Sequence, residues 1–430
     1  MILDRHNEKF YRQVVMVLFF LSSLVSVYTL IPWMLLITII LTWTDGVRGA
    51  LRALIQIQVR SILSDVVGVN ISTAATLKWI CLFFLSFYII FKCSPKIDKK
   101  VSQATLFLLL FLIYITITAL FVSSYPIVAI AKGVSFLIPF MAILMGVSTT
   151  KDFDCIDYIT KVLGFVLISG VVFVFSGNGY LRNGHAFQGF INHPNMYGIM
   201  LAVFLAGFLY KKKEKTKFFE VFIIVLTFVL IFLSESRTGL FSAGIVLATH
   251  FMFSGVKTVY KVVAVFFSLI FLLAALELPV FSFLTDFIFK GSDNILYSRE
   301  DIIKENLNRL YNHPFVGTGF NVPYIKSVRS FKFAFDLFVE NGNFATAILG
   351  DLGIIGTMIF LLCYYYIFAC GNKRYVALFI VPFVISMGEM VFFSTNNCAI
   401  VLYFYFAAYL SYNKHHQNTE LQHARDIPYV

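Results

Sequence analysis

The chain has 430 residues, of which 59% are hydrophobic and 13% are charged, whereas soluble proteins average about 25% charged residues. A water-soluble fold of this length cannot bury so much apolar surface, so the composition excludes a soluble enzyme, a disordered chain and a secreted disulfide scaffold. The apolar runs are continuous rather than alternating, which excludes a transmembrane β-barrel. We predict an all-α polytopic membrane protein.

Positive charge is concentrated in short loops between the apolar runs. The formal net charge is +11, and the most basic loops are 92–100, 211–217, 256–261 and 371–374. Lysine and arginine in short loops are typical of the cytoplasmic side of a membrane protein. We therefore predict that these four loops are cytoplasmic, and we expect no nucleic-acid partner.

Apolar runs recur along the chain, and one transmembrane helix needs about 20 mostly apolar residues. The runs lie near 14–44, 74–91, 103–122, 127–147, 157–175, 195–210, 218–234, 238–254, 261–280, 343–369, 375–394 and 397–412. They predict a single membrane domain over residues 1–430 with about 12 transmembrane helices. In this arrangement 281–341 is one large loop on the outer side, and the N-terminus and the tail 413–430 are cytoplasmic.

The sequence at the start of the chain is compatible with two different numbers of transmembrane helices. Residues 14–44 are long enough for one tilted span, or for two short spans broken at Pro32. The stretch 50–70 carries Arg52 and Arg60, and its amphipathic pattern favours a position at the membrane interface. That reading gives the twelve helices that we favour, whereas fourteen result if 14–44 splits and 50–70 also spans.

Three arginines on the predicted outer side lie close to helix ends. They are Arg182, Arg237 and Arg299. A single arginine at this depth is explained by snorkelling to the lipid headgroups, or by an ion pair such as Arg237 with Glu235. Together they predict an anion site, because a guanidinium stays charged and meets two phosphate oxygens at once.

The segment 187–198 predicts a fixed turn followed by a helix. Pro194 suits the first helical turn, with Asn192 or His193 near the cap. The free amides at such a helix start bind anions. His193 and His185 are candidates for proton transfer, although a structural cap role explains His193 equally well. No HxH or HExxH spacing is present, so we predict no metal site.

The large loop contains a short helix and a turn. Residues 298–311 have helical character, with Ile302, Leu307 and Leu310 along one side. Over the whole loop 281–341, seven basic and seven acidic residues cancel, which indicates a solvated, mixed-charge cap. The glycines and proline of 312–321 predict a tight turn.

Glu340 precedes the next predicted helix. Two roles are open for it: a carboxylate near the site, or an N-terminal charge favoured by the helix dipole. The predicted spans are nearly free of charge in their interiors and form no matched pair of Gly- or Pro-broken helices. Both features favour an enzyme acting at the membrane surface over a transporter.

These segments, in this order, resemble the O-antigen ligase/polymerase superfamily. The resemblance rests on NHPNMYG, then SRTGL, then SRED and NHPFVGTGF, then ENGNFATAILGDLGIIG, and it spans roughly residues 178–356. It implies an integral glycosyltransferase of the bacterial inner membrane in which 281–341 is periplasmic. It further implies an undecaprenyl-pyrophosphate-linked oligosaccharide as substrate, without metal, cofactor or nucleotide sugar. The implied partners are membrane lipids, a chain-length regulator and a flippase.

The resemblance also assigns residues. It places Arg182, Arg237 and Arg299 on the family's arginines, as a clamp on the donor pyrophosphate. The predicted substrate-binding residues, all polar side chains of these segments, are Arg182, Arg237, Arg299, Asn195, His313 and Asn343. The predicted catalytic residues, any of which could supply the base, are Glu340, His193 and His185.

One departure bears on the reaction. Ligases of the family carry His-Asn where the helix after the large loop begins, and Gly342-Asn343 stands at that position here. The expected function is therefore a surface-polysaccharide (O-antigen) polymerase. The alternatives are an O-antigen ligase that transfers glycan to lipid A core, and a non-enzymatic transporter of a lipid-linked or anionic solute.

Overall fold

The protein is described here by a computed structural model, over residues 26–63, 74–210, 218–254, 256–264, 266–267, 287, 300–322, 343–394 and 397–411. In these ranges the fold is all-helical, as predicted, and the single β-bridge joins Leu63 to Ile191. Six of the described helices are long and apolar enough to cross a membrane. The total of twelve spans and the outer position of 281–341 stay predictions.

Most of the helices follow the apolar runs. In chain order they are α1 (Val27–Ser61), α2 (Ala75–Cys93), α3 (Lys99–Val122), α4 (Pro126–Thr149), α5 (Cys155–Ser169), α6 (Pro194–Tyr210), α7 (Phe218–Leu233), α8 (Arg237–Met252), α9 (Glu300–Asn312), α10 (Phe344–Cys370), α11 (Val376–Gly388) and α12 (Ala399–Ser411). Helix α1 extends past the first run, and α9 lies in the predicted large loop. Two short 3₁₀ segments, Gly170–Phe173 and Gly177–Tyr180, follow α5.

Helix α1 reverses direction at Gly46. This glycine has φ 58° and ψ −132°, outside the helical region. A Cβ atom on Gly49 would overlap the carbonyl of Leu41, although these residues would be about 12 Å apart in a straight helix. Arg52 also reaches back to Asp45, with 2.6 Å between Nη1 and Oδ2. The two arms of α1 are therefore antiparallel neighbours.

The reversal corrects two expectations about the start of the chain. Pro32 lies inside α1 and does not break it, because the break is at Gly46. The interfacial position expected for 50–70 is wrong over residues 50–63, since this arm is packed in the protein core and Ala50, Leu54 and Ile57 are fully buried. Residues 64–70 lie outside the described residues. The predicted total of twelve spans rested on the interfacial position and is not confirmed.

One end of the helix bundle holds the sequence motifs, and we call it the motif end. It contains Leu63, 191–195, Ser236 and Asn343. The backbone N–H of Asn192 donates to the carbonyl of Ile62 at 2.9 Å, and the Ser236 hydroxyl donates to the carbonyl of Asn195 at 3.2 Å. Two of the segments on which the resemblance rests, NHPNMYG and SRTGL, are therefore in contact at this end.

The opposite end, the basic-loop end, contains the loops 92–100 and 371–374. The Lys100 ammonium donates to the carbonyl of Cys370 at 3.4 Å, which joins these two loops. The two basic loops lie at the same end of the bundle, which agrees with the predicted alternation of cytoplasmic and outer loops along the chain. That this end faces the cytoplasm stays a prediction. The loop 211–217 lies outside the described residues.

The predicted loop helix is confirmed as α9, but its buried side is polar. Asn306 and Arg309 are buried against α10, whereas Leu307 is 47% exposed. The apolar side predicted for this helix is therefore not its fully buried side, whereas charged side chains such as Lys304 are exposed, as expected of a solvated helix. Arg309 instead donates from Nη1 to Oδ1 of Asp351 at 2.9 Å.

A buried charged network holds this loop segment on the bundle. Asp351 of α10 also accepts from the backbone N–H of Asn321 through Oδ2 at 2.8 Å, and Lys132 of α4 donates to the carbonyl of Asn321. The expectation that the span interiors are nearly free of charge is therefore wrong for α4 and α10. A carboxylate at this burial is stable only when paired and hydrogen-bonded.

The turn predicted over 312–321 is confirmed. Gly317 has φ 71°, and a Cβ atom there would overlap the backbone of Asp351. Gly353 of α10 has φ 64°, and a Cβ atom there would lie 2.5 Å from the backbone of Phe315. The turn and the kinked helix therefore approach backbone to backbone, which only glycine permits.

Candidate functional site

Three glycines bring α6, α8 and α11 together at the motif end. A Cβ atom on Gly239 of α8 would lie 2.6 Å from the carbonyl carbon of Gly198 in α6. A Cβ atom on Gly388 of α11 would overlap the side chain of Thr238 in α8. Small residues allow such close helix crossings in membrane proteins. The polar residues within a few positions of each glycine consequently meet.

His193 caps the N-terminus of α6. Its Nδ1 accepts a hydrogen bond from the backbone N–H of Asn195 at 3.1 Å, so the predicted cap is confirmed. In a neutral imidazole one nitrogen accepts and the other carries the hydrogen, which leaves Nε2–H as a donor. Burial first and the charge of Arg182 second lower the pKa of His193, and the charge of Glu389 opposes them. His193 therefore favours the neutral form.

Glu389 is the residue that the sequence reasoning missed. It ends α11, and its Oε1 accepts from Nδ2 of Asn195 at 3.4 Å. The available signal was a lone carboxylate within the apolar run 375–394, because an ionisable residue inside a membrane segment usually has a function.

A second pair lies in the break between α7 and α8. Nδ1 of His185 lies 2.8 Å from Oε1 of Glu235. Glu235 has φ 51°, a left-handed conformation that is uncommon for a residue with a side chain. Ser236 then caps α8, and its Oγ accepts from the backbone N–H of Gly239. Arg237 is the first residue of α8 and is partly buried.

Arg182 lies on the same surface, in the turn after the second 3₁₀ segment. It is exposed, and its backbone N–H donates to Oε1 of Gln188 at 3.0 Å. Phe187, in the same turn, donates from its backbone N–H to the carbonyl of Leu233 at 2.8 Å. The Arg182 turn is thereby tied to the end of α7.

Asn343 joins the site from α10. Its Oδ1 accepts from the backbone N–H of Thr346 at 3.1 Å, which makes it the N-cap of α10. Its Nδ2 donates to the carbonyl of Met387 at 3.3 Å, two residues before Glu389. His313 is placed elsewhere, at the end of α9 in the turn anchored on α10, where its backbone N–H donates to the carbonyl of Arg309.

The described residues thus bring together Arg182, His193, Asn195 and Glu389, with Asn343 close by. The start of α6, the Arg182 charge and the Nε2–H of His193 suit a negatively charged group. The carboxylates and the second histidine suit proton transfer. Arg299 and Glu340 lie outside the described residues, and within the described part of the chain no group of three His, Cys, Asp or Glu residues is placed to hold a metal ion.

Comparison with known protein families gives a match to part of the chain. Residues 222–361 match the family model described as O-Antigen ligase. The match extends from α7 to the middle of α10 and includes Arg237 and α9. It confirms the resemblance to the O-antigen ligase/polymerase superfamily that the ordered motifs predicted. No curated protein matches the chain.

Proposed function

We propose that this protein is a membrane glycosyltransferase that polymerises a surface polysaccharide of the O-antigen type. It transfers glycan from an undecaprenyl-pyrophosphate-linked donor to a lipid-linked acceptor repeat unit at the periplasmic face of the bacterial inner membrane. The family match supports the class of enzyme. The observation that carries the proposal is the convergence of Arg182, His193 and Glu389 at one end of a membrane bundle.

The donor pyrophosphate is bound by arginines in this proposal. Arg182 and Arg237 lie at the motif end, and the resemblance adds Arg299. Negative charge grows on the leaving pyrophosphate in the transition state, so fixed guanidinium groups lower the barrier. Asn195, His313 and Asn343 stay the proposed polar contacts to the substrate.

A base must also take the proton of the incoming sugar hydroxyl. The proposed candidates are Glu340, His193 and His185. Replacing Glu340 with Gln keeps the shape of the side chain and removes the base. Lipid-linked single repeats without long chains would support Glu340, whereas full-length chains would exclude it.

The clamp is tested by replacing Arg182, Arg237 and Arg299 with Lys, one at a time, in a strain that lacks the chromosomal copy. Lysine keeps the charge and loses the bidentate fork, so long glycan chains should be strongly reduced at equal expression. Arg48→Lys is the matched control, because Arg48 pairs with Asp45 at the other end of the bundle. Normal chain length in all three variants would refute the clamp.

The O-antigen ligase is the second candidate, and the description of the matching family model favours it. Glycine at position 342, in place of the ligase histidine, favours the polymerase. A deletion strain separates the two. Lipid A core capped with a single repeat indicates a lost polymerase, whereas a complete loss of capping indicates a lost ligase.

A further inference from the structure

The two histidines of the site use Nδ1 differently: in His193 it accepts a hydrogen bond, and in His185 it donates one. Nδ1 of His193 accepts from the backbone N–H of Asn195, so its free nitrogen, Nε2, carries a hydrogen and can only donate. Nδ1 of His185 faces Oε1 of Glu235 at 2.8 Å. A carboxylate only accepts, so Nδ1 of His185 carries a hydrogen, and in the neutral ring Nε2 then keeps its lone pair. Of these two rings, only that of His185 is oriented as a proton acceptor.

Glu235 is held at this place by the backbone. Its φ of 51° is left-handed, and such a conformation persists only where the surrounding structure enforces it. The enforcing contacts lie on both sides of the residue. The backbone N–H of Glu235 donates to the carbonyl of Phe232, and Ser236 caps α8 beside the crossing of Gly198 and Gly239.

The pair adds little to the stability of the fold. The His185 side chain is 63% exposed and that of Glu235 is 36% exposed, and exposed ion pairs contribute little to folding. The stability gained from this ion pair therefore does not account for a left-handed backbone that presents the carboxylate to an exposed histidine. That backbone is explained by a histidine that must keep one ring nitrogen free for chemistry, as in other carboxylate-oriented bases.

We propose that His185 is the base of the transfer reaction and that Glu235 is the positioning residue that fixes its ring. This inference rests on the proposed glycosyl transfer. The hydroxyl oxygen of the acceptor sugar forms the new bond to the anomeric carbon while its proton passes to Nε2 of His185. The bond from the anomeric carbon to the phosphate oxygen breaks, and the lipid pyrophosphate leaves with the electron pair. The Glu235 carboxylate stabilises the resulting imidazolium.

The test uses the full chain in lipid nanodiscs with an undecaprenyl-pyrophosphate-linked oligosaccharide repeat, and it measures the rate of chain growth. His185→Gln should lower kcat roughly a hundredfold or more. Glu235→Gly removes the carboxylate and also relieves the left-handed strain, so thermal stability should hold or rise while kcat falls about tenfold or more. KM for the donor should change little in both variants.

A double variant shows whether the two residues act as a unit. If Glu235 acts through His185, then His185→Gln with Glu235→Gly should be no slower than His185→Gln alone. Asn321→Gly is the matched control. Among the described residues other than glycine, Asn321 and Glu235 are the two with a left-handed φ, and that of Asn321 is 52°. This control should keep full activity.

Three results would overturn the proposal. Full activity of His185→Gln or of Glu235→Gly would remove the pair from the reaction and leave the proposed function standing. Additive losses in the double variant would show that Glu235 does not act through His185. An inactive wild-type chain under these conditions would overturn the proposed function together with the pair.

Discussion

Replacing Gly239 with Ala tests whether the contact between α6 and α8 holds the candidate site together. The new Cβ atom would lie 2.6 Å from the carbonyl carbon and 2.7 Å from the carbonyl oxygen of Gly198. Both are backbone atoms, so relief requires that the helices separate by about 1 Å to reach an ordinary contact. Such overpacking costs about 1–3 kcal/mol of stability. A displacement of this size at a catalytic site lowers activity by up to about 100-fold.

Gly244 of the same helix provides the control, because a Cβ atom there meets nothing within 4 Å. Gly244→Ala should leave activity unchanged and should stabilise α8 by up to about 1 kcal/mol, since alanine has the higher helix propensity. Both variants are compared with the wild type by thermal unfolding in detergent and by glycan chain length in cells. If Gly239→Ala behaves like Gly244→Ala in both assays, the close crossing does not position the site.

Three further predictions concern the residues around the site. Asp351→Asn should destabilise the protein by about 3 kcal/mol in thermal unfolding, because it leaves the buried guanidinium of Arg309 with the half-exposed carboxylate of Glu305 as its remaining ion-pair partner; an unchanged unfolding temperature would contradict this. Asn343→Ala should cost about 1 kcal/mol through the lost N-cap of α10, and Asn343→Asp, which keeps the accepting oxygen, should recover most of it. Burial lowers the pKa of His193 below its ordinary value of 6.5, so its stabilising contribution is complete above this pH and is lost as the pH falls through the lower folded pKa. His193→Asn, which keeps a capping side chain, should flatten that part of the pH dependence of stability, and an unchanged profile would show that His193 does not cause it.

The helices could be predicted well because hydrophobicity alone decides where a chain enters and leaves a membrane. The run 127–147 became α4 at Pro126–Thr149, and the run 103–122 became α3 at Lys99–Val122. The reversal at Gly46 could not be predicted in this way. Its polar neighbours, Asp45 and Arg52, form an amphipathic pattern in the sequence, and only their mutual ion pair shows that the chain has turned back.

The site was predictable where the signal is local. Pro194 and its neighbours indicate a capped helix start, and the structure has His193 as that cap. The contact of Asn195 with Glu389 joins residues far apart in the chain, so no local pattern indicates it. The buried side of α9 could not be predicted from a local pattern either, because it is determined by the ion pair of Arg309 with the distant Asp351 and not by the apolar residues of the helix.

The central claim is that this chain lengthens a lipid-linked glycan. The direct measurement is mass analysis of the products after the purified chain, in nanodiscs, is incubated with an undecaprenyl-pyrophosphate-linked repeat, both alone and with lipid A core added. The account predicts a ladder of lipid-linked products, each longer by one repeat, that forms without lipid A core and is lost in Arg182→Lys. Glycan attached only to lipid A core, with no ladder, would contradict it.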